Sequence, residues 1–181
     1  MTAPQTTALI LGESAPAFAL PDPDGRLHAL DAMDGGAVVL LFLSNHCPYV
    51  ASWEERIIGA AREYGEKGVR FVAISSNDVT RYPKDGPEAM KERAADSGYP
   101  FPYLYDEDGA VARAFGATRT PEVFVLDGER RLRYRGAVDS SWDEDDDRDE
   151  YLRNALSALL AGGEVEVAET PAVGCPIKTR A

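Results

Sequence analysis

Residues 37–43, Ala-Val-Val-Leu-Leu-Phe-Leu, form an apolar run without one polar interruption. A strand with one wet face alternates apolar and polar side chains. An unbroken run instead reads as a strand covered on both faces, the habit of parallel sheets sandwiched by helices. From about Pro48 to Glu66, Trp53, Ile57, Ala60, Ala61 and Tyr64 recur at helical spacing, and Gly65 and Gly68 offer a stop. A second buried strand, residues 69–74, follows. Strand, helix, strand in this order implies a right-handed parallel crossover, so the chain is expected to be an α/β protein.

The flanking segments add to that core. Residues 18–20 and 27–30, separated by Pro21-Asp22-Pro23-Asp24-Gly25, read as an N-terminal hairpin. Residues 87–97 read as a helix with Pro at its start and Gly98 at its end, and 109–115 as a short helix closed by Gly116. Residues 121–127 and 131–135 alternate around Gly128-Glu129 as an antiparallel hairpin. Leu152, Leu156, Leu159 and Leu160 make 149–161 an amphipathic helix ending at Gly162-Gly163. The tail holds a short alternating piece, Glu164-Val165-Glu166-Val167, and then Val173-Gly174-Cys175-Pro176-Ile177-Lys178. With 181 residues, one domain spanning 1–181 is expected, with 163–181 packing back on it as a tail.

Nineteen basic against thirty-one acidic side chains leave a net charge of −12, which repels nucleic acid and anionic lipid. The first residues lack the basic head and long apolar centre of a signal peptide, and no apolar run approaches a bilayer span. The expected location is the cytoplasm, with neither nucleic acid nor membrane as partner. Thiols there are normally reduced, so Cys47 and Cys175 are read as a free or catalytic pair before a permanent staple. His28 and His46 show no zinc-ligand spacing with them, and no metal is expected.

Cys47 stands between the buried run and the following helix. Pro48 suits the first helical position, which makes Cys47 the cap. Ser52-Trp53-Glu54-Glu55 also reads as a capping box and would start the helix later. As a cap, Cys47 faces unpaired backbone N–H groups and the positive end of the helix dipole, which favour the nucleophilic thiolate. The plainer alternative is a small buried hydrophobe.

A strand ending in a helix-capping cysteine, a parallel crossover, and a hairpin whose first strand begins Thr120-Pro121 resembles the thioredoxin-like order. More narrowly, four stretches are similar to the peroxiredoxin-like group of the alkyl hydroperoxide reductase and thiol-specific antioxidant family. They are Asn45-His46-Cys47-Pro48-Tyr49, residues 77–83, Tyr99-Pro100-Phe101-Pro102-Tyr103-Leu104, and the tail 173–178. The resemblance implies a thioredoxin-like α/β fold: a central mixed sheet flanked by helices, with an N-terminal hairpin and a C-terminal tail. Val50 stands where thioredoxins carry their second cysteine and peroxiredoxins their peroxidatic one. The resemblance therefore implies neither a local disulfide nor ordinary peroxidase activity.

In that family the Thr-Pro pair is a cis bond facing the active cysteine and offers backbone to an extended thiol substrate, which implies such roles for Thr120 and Pro121. Arg119 stands just before them, either turned toward Cys47 or solvated. His46 invites a general-base role, but neighbouring side chains in an extended segment point apart, and a ring satisfied by loop backbone is the alternative. Asn45, Pro48 and Tyr49 are candidates for orienting substrate. The acidic run 143–150 lacks the pattern of a calcium loop and reads as solvated charge before a helix.

The expected function is thiol–disulfide oxidoreduction, with Cys47 as nucleophile and Cys175 as candidate resolving thiol. No cofactor is required. The partners are protein or small-molecule disulfides and an external thiol reductant. The alternatives are a thiol peroxidase acting through a Cys47 sulfenic acid and a non-catalytic redox-sensing or binding module.

Overall fold

In the computed structural model, residues 8–143 and 146–181 are described. The chain opens with a hairpin of β1 (Ala19–Pro21) and β2 (Leu27–Ala29), paired antiparallel. Then come β3 (Val38–Phe42), α1 (Pro48–Gly65), β4 (Arg70–Ser75), α2 (Pro87–Ser97), β5 (Tyr103–Tyr105) and α3 (Ala110–Phe115). The last part carries β6 (Arg119–Thr120), β7 (Glu122–Leu126), β8 (Leu132–Gly136), α4 (Tyr151–Leu160) and β9 (Cys175–Pro176).

The main sheet has five strands in the order β5-β4-β3-β7-β8. β3, β4 and β5 are parallel neighbours, whereas β7 runs antiparallel to β3 and β8 antiparallel to β7. The expected crossover and added hairpin are therefore both present, and the sheet is mixed.

The unbroken apolar run has its physical reason in the two faces of β3. Val39, Leu41 and Leu43 pack with Trp53, Ile57 and Tyr64 of α1 and Leu152 and Leu156 of α4. Val38, Leu40 and Phe42 face the other layer, with Phe115, Phe124 and Leu104. Period-2 alternation sends successive side chains into opposite apolar layers, so no position of β3 tolerates a polar residue.

The structure differs from the sequence expectation at residues 164–167 and at three short strands. Residues 164–167 alternate in character but form no strand; instead the backbone of Arg135 bonds with Ala168 and Thr170 further along the tail. β5, β6 and β9 are two or three residues long like β1 and β2, but no hairpin turn joins any of them to its pairing partner, so nothing in the local sequence marks them. The acidic run 143–150 falls partly outside the described residues. Its Arg148 lies 3.3 Å from the buried carboxylate of Asp139, which also accepts from Trp53 Nε1 at 2.7 Å.

Candidate active site

Cys47 caps α1, with Pro48 at the first helical position and the Ala51 N–H bonding back to the Cys47 carbonyl at 3.1 Å. The later start at Ser52 does not occur, and the Ser52 hydroxyl instead donates to the Pro48 carbonyl within the helix. Because β3 ends in the buried middle of the sheet, Cys47 is delivered to a covered position and is only 2% exposed.

Two other segments meet it there. The Thr120–Pro121 bond is cis, and the Thr120 carbonyl oxygen lies 3.2 Å from Cys47 Sγ. The turn before it is held by Glu122, whose buried carboxylate accepts from the Thr118 N–H at 2.7 Å. On the far side of Thr120 lies the tail. β9 pairs antiparallel with β6, with Cys175 opposite Thr120 and Pro176 opposite Arg119. This register sets Cys175 Sγ 2.8 Å from Cys47 Sγ, although 128 positions separate the residues.

The pairing needs a residue without a side chain next to Cys175. A Cβ on Gly174 would stand 2.0 Å from the Thr120 carbonyl oxygen, a backbone atom that cannot move aside. Beyond Cys175, the Ile177 N–H donates to the Thr118 carbonyl at 2.9 Å and the Lys178 N–H to Asn77 Oδ1 at 2.8 Å. The Asp78 N–H donates to the Lys178 carbonyl at 2.7 Å.

The two thiols are driven apart in acidity. Burial opposes ionisation of Cys47, but the groups around the sulfur outweigh it: the Cys175 thiol, the nearby Thr120 hydroxyl and the backbone N–H groups of Val50 and Cys175. The Cys47 thiol is thereby held below the ordinary cysteine value. The Thr120 hydroxyl is buried and makes no hydrogen bond, so it is free to serve a thiolate. Cys175 moves the other way. Burial, the hydrogen bond to Cys47 and the Cys47 charge push it up to about 11, against smaller opposing effects of Lys178 and the Tyr49 N–H. Of the two thiols Cys47 is therefore the more readily ionised, the order expected of a nucleophile and its waiting partner.

The remaining candidates divide. Asn45 is tied inward: its N–H donates to Asp85 at 2.7 Å, its amide to the Lys84 carbonyl at 2.8 Å, and its Oδ1 accepts from Tyr103 at 2.9 Å. It holds the loop instead of presenting itself to substrate. His46 Nδ1 lies 2.6 Å from the Asp85 carboxylate, and its ring stacks on Tyr82 with centroids 5.4 Å apart. Its Nδ1 is satisfied by a buried side chain and not by loop backbone. Pro48 is exposed, and Tyr49 is half-buried with its ring edge against the exposed Trp142. Arg119 is exposed, and among the described residues no hydrogen bond ties its guanidinium to Cys47.

Asp85, which no motif in the sequence marks, is central to the site. It is fully buried and accepts from Ser44 Oγ, the Asn45 N–H and Asn77 Nδ2 besides its contact with His46. Through Asn77, which also receives the Lys178 N–H, Asp85 links the loop before Cys47 to the tail that carries Cys175. No group of three or more His, Cys, Asp or Glu is arranged for a metal ion among the described residues. Among those residues no helix is long and apolar enough to cross a membrane.

A mixed sheet with a helix-capping cysteine at the end of a central strand, faced by a cis Thr-Pro bond, defines a thioredoxin-like thiol protein. The AhpC/TSA family matches residues 11–135, and the chain belongs to that family. It is similar to an uncharacterised conserved protein from Geobacillus kaustophilus, at 43% identity and a TM-score of 0.89, over 95% of this chain and 93% of that one. A peroxidoxin, BcpB, from Mycobacterium tuberculosis aligns at 26% identity and a TM-score of 0.65, over 84% and 97% of the two chains. Among curated proteins, the thiol:disulfide interchange protein DsbE of Tatumella citrea is 30% identical over 83% of this chain and 77% of its own length. The chain spans about two thirds of the length of the curated relatives it matches.

Proposed function

We propose that the protein is a thiol–disulfide oxidoreductase of the thioredoxin and peroxiredoxin-like type, with Cys47 as nucleophile and Cys175 as resolving thiol. The observation that carries this reading is the 2.8 Å separation of the two sulfurs, held by strand pairing. The Cys47 thiolate attacks a disulfide, one thiolate leaves, and a mixed disulfide forms on Cys47.

Attack also changes the acidity of Cys175. Once Cys47 is in a mixed disulfide, it carries no charge and no longer accepts as a thiolate, so two of the causes that raise Cys175 vanish. Burial remains, but Lys178 and the Tyr49 N–H still favour the anion. Cys175 thus becomes easier to ionise at the step that needs it. It then attacks Cys47 Sγ, expels the second thiolate and leaves a Cys47–Cys175 bond, which an external thiol reductant reopens.

The proposal extends to a cytoplasmic location, where thiols are kept reduced and a thiol reductant is at hand; cell fractionation tests it. Mass spectrometry tests the chemistry. After reaction with a small disulfide, Cys175→Ser is expected to retain an adduct on Cys47, whereas the unaltered protein yields the internal bond and no adduct. Absence of any adduct on Cys47 in the variant overturns the reading.

A further inference from the structure

Cys175 shows how a cysteine in extended backbone reaches Cys47: it stands opposite Thr120 in an antiparallel pair, and its sulfur falls 2.8 Å from the nucleophile. A cysteine of a partner peptide that approached as a strand would need the same backbone edge, because added strands dock by main-chain pairing with a free edge. That edge is taken. Segment 174–178 covers it, anchored by Ile177 N–H on Thr118, by Lys178 N–H on Asn77 and by the Asp78 N–H on Lys178. Ile177 also packs against the apolar layer beneath the sheet, and the Lys178 ammonium lies 4.5 Å from the Tyr82 ring centroid. Gly174 permits the close approach, since any Cβ there collides with the Thr120 carbonyl.

Covering Cys47 in this way does not close it equally to all oxidants. The nucleophile is 2% exposed, and the Cys175 side chain is among the groups over it. A small disulfide needs that side chain to rotate. An extended peptide needs the backbone of 174–178 to leave the edge, with the loss of several hydrogen bonds and the Ile177 contact. We propose that segment 174–178 is an in-chain substitute for a substrate strand, and that it restricts Cys47 to small-molecule disulfides in preference to extended protein disulfides. This rests on the thiol–disulfide reading above. The balanced reaction is two protein thiols plus one small disulfide giving the Cys47–Cys175 bond plus two small thiols. Two electrons pass from the protein sulfurs to the small disulfide, whose leaving thiolates take up the two protons.

The test compares two full-length proteins that both lack the resolving thiol, Cys175→Ser alone and Cys175→Ser with Gly174→Ala. Each is reacted with two probes that release the same coloured thiolate: the mixed disulfide of 2-mercaptoethanol with thionitrobenzoate, and that of an uncharged, extended cysteine peptide with thionitrobenzoate. With the segment in place, the small probe is expected to react faster. Displacing it by Gly174→Ala should raise the peptide-to-small rate ratio at least about tenfold, a change of about 1.4 kcal/mol in relative barrier. Cys175→Ser with Ile177→Asp releases the segment at its apolar anchor and should move the ratio the same way, which guards against misfolding of one variant. Circular dichroism checks the fold of each. An unchanged ratio in both folded double variants overturns the proposal and leaves the thiol–disulfide reading standing. Failure of Cys47 to react with either probe in any variant overturns that reading, and the proposal with it.

Discussion

Forming the Cys47–Cys175 bond should stabilise the folded protein by an amount fixed mainly by the unfolded chain. The two residues are 128 positions apart, and in the chain-entropy description a loop of that length loses about 17 cal/mol/K, or about 5 kcal/mol at room temperature. The reduced native chain already holds the sulfurs 2.8 Å apart through the β6–β9 pair, so little native rearrangement offsets that gain. With a urea slope of about 2 kcal/mol/M, the oxidised protein should unfold about 2.5 M later than the reduced one. Fluorescence reports the transition, because Trp53 is 1% exposed and Trp142 is 49% exposed. By linkage the same energy makes the bond roughly several thousand-fold more favourable in the folded than in the unfolded chain. A glutathione redox titration with and without denaturant measures that factor separately. A urea midpoint shift below about 0.5 M, equivalent to about 1 kcal/mol at that slope, would refute the claim that the tail is already in place before oxidation.

Four further outcomes follow from the site. Thr120→Val removes the unpartnered hydroxyl beside Cys47, so the pH profile of Cys47 alkylation should move upward while stability changes by less than about 1 kcal/mol, since no existing bond is broken. Asp85→Ala leaves the Asn45 N–H and the Asn77 amide without their acceptor; chemical denaturation should show a loss of about 3 kcal/mol, at about 1–3 kcal/mol for each buried unpaired group. The two thiols give the reduced protein a pH dependence of opposite signs. Cys47 is lowered in the fold, so its contribution is lost as pH falls through its native value, whereas Cys175, raised from 9.0 to about 11, loses its contribution as pH rises from 9.0 through about 11. The difference in melting temperature between the reduced protein and the doubly Ser-substituted variant should therefore peak near pH 9; a difference that climbs steadily to pH 11 contradicts these shifts. Hydrogen peroxide turnover should stay below about 10⁴ M⁻¹s⁻¹ in steady-state assays with a thiol reductant, because Val50 occupies the position a peroxidatic cysteine would take.

What the sequence discloses and what it withholds separate along a physical line. Residues 37–43 and 69–74 announce two-sided burial through their own composition, and Pro48 after Cys47 announces a helix start through its fixed backbone angle. Those signals are local, and α1 begins where they place it. Asp85 has no such signal. A carboxylate two residues before the Pro87 helix looks like ordinary charge near a helix start, and only contact with Ser44, Asn45 and His46, about forty positions earlier, makes it a buried anchor. The roles of Asn45 and His46 depend on that anchor, so the reading that aimed Asn45 at substrate, and the one that satisfied His46 with backbone, both lacked the residue that decides them.

The tail presents the same division within one segment. Cys175 is nameable from residue type and from the resemblance of 173–178, but a strand of two residues has no periodicity to detect, and β6 and β9 exist only because each supplies the other's edge. Gly174 in the sequence is a generic break. In the fold it is the position where any side chain would strike the Thr120 carbonyl, so it sets how closely the resolving thiol approaches. The chemistry of the site therefore resides in two cysteines that a reader of the sequence finds at once. Their partnership resides in Gly174, Asn77 and Asp85, whose importance arises only when distant segments are brought together.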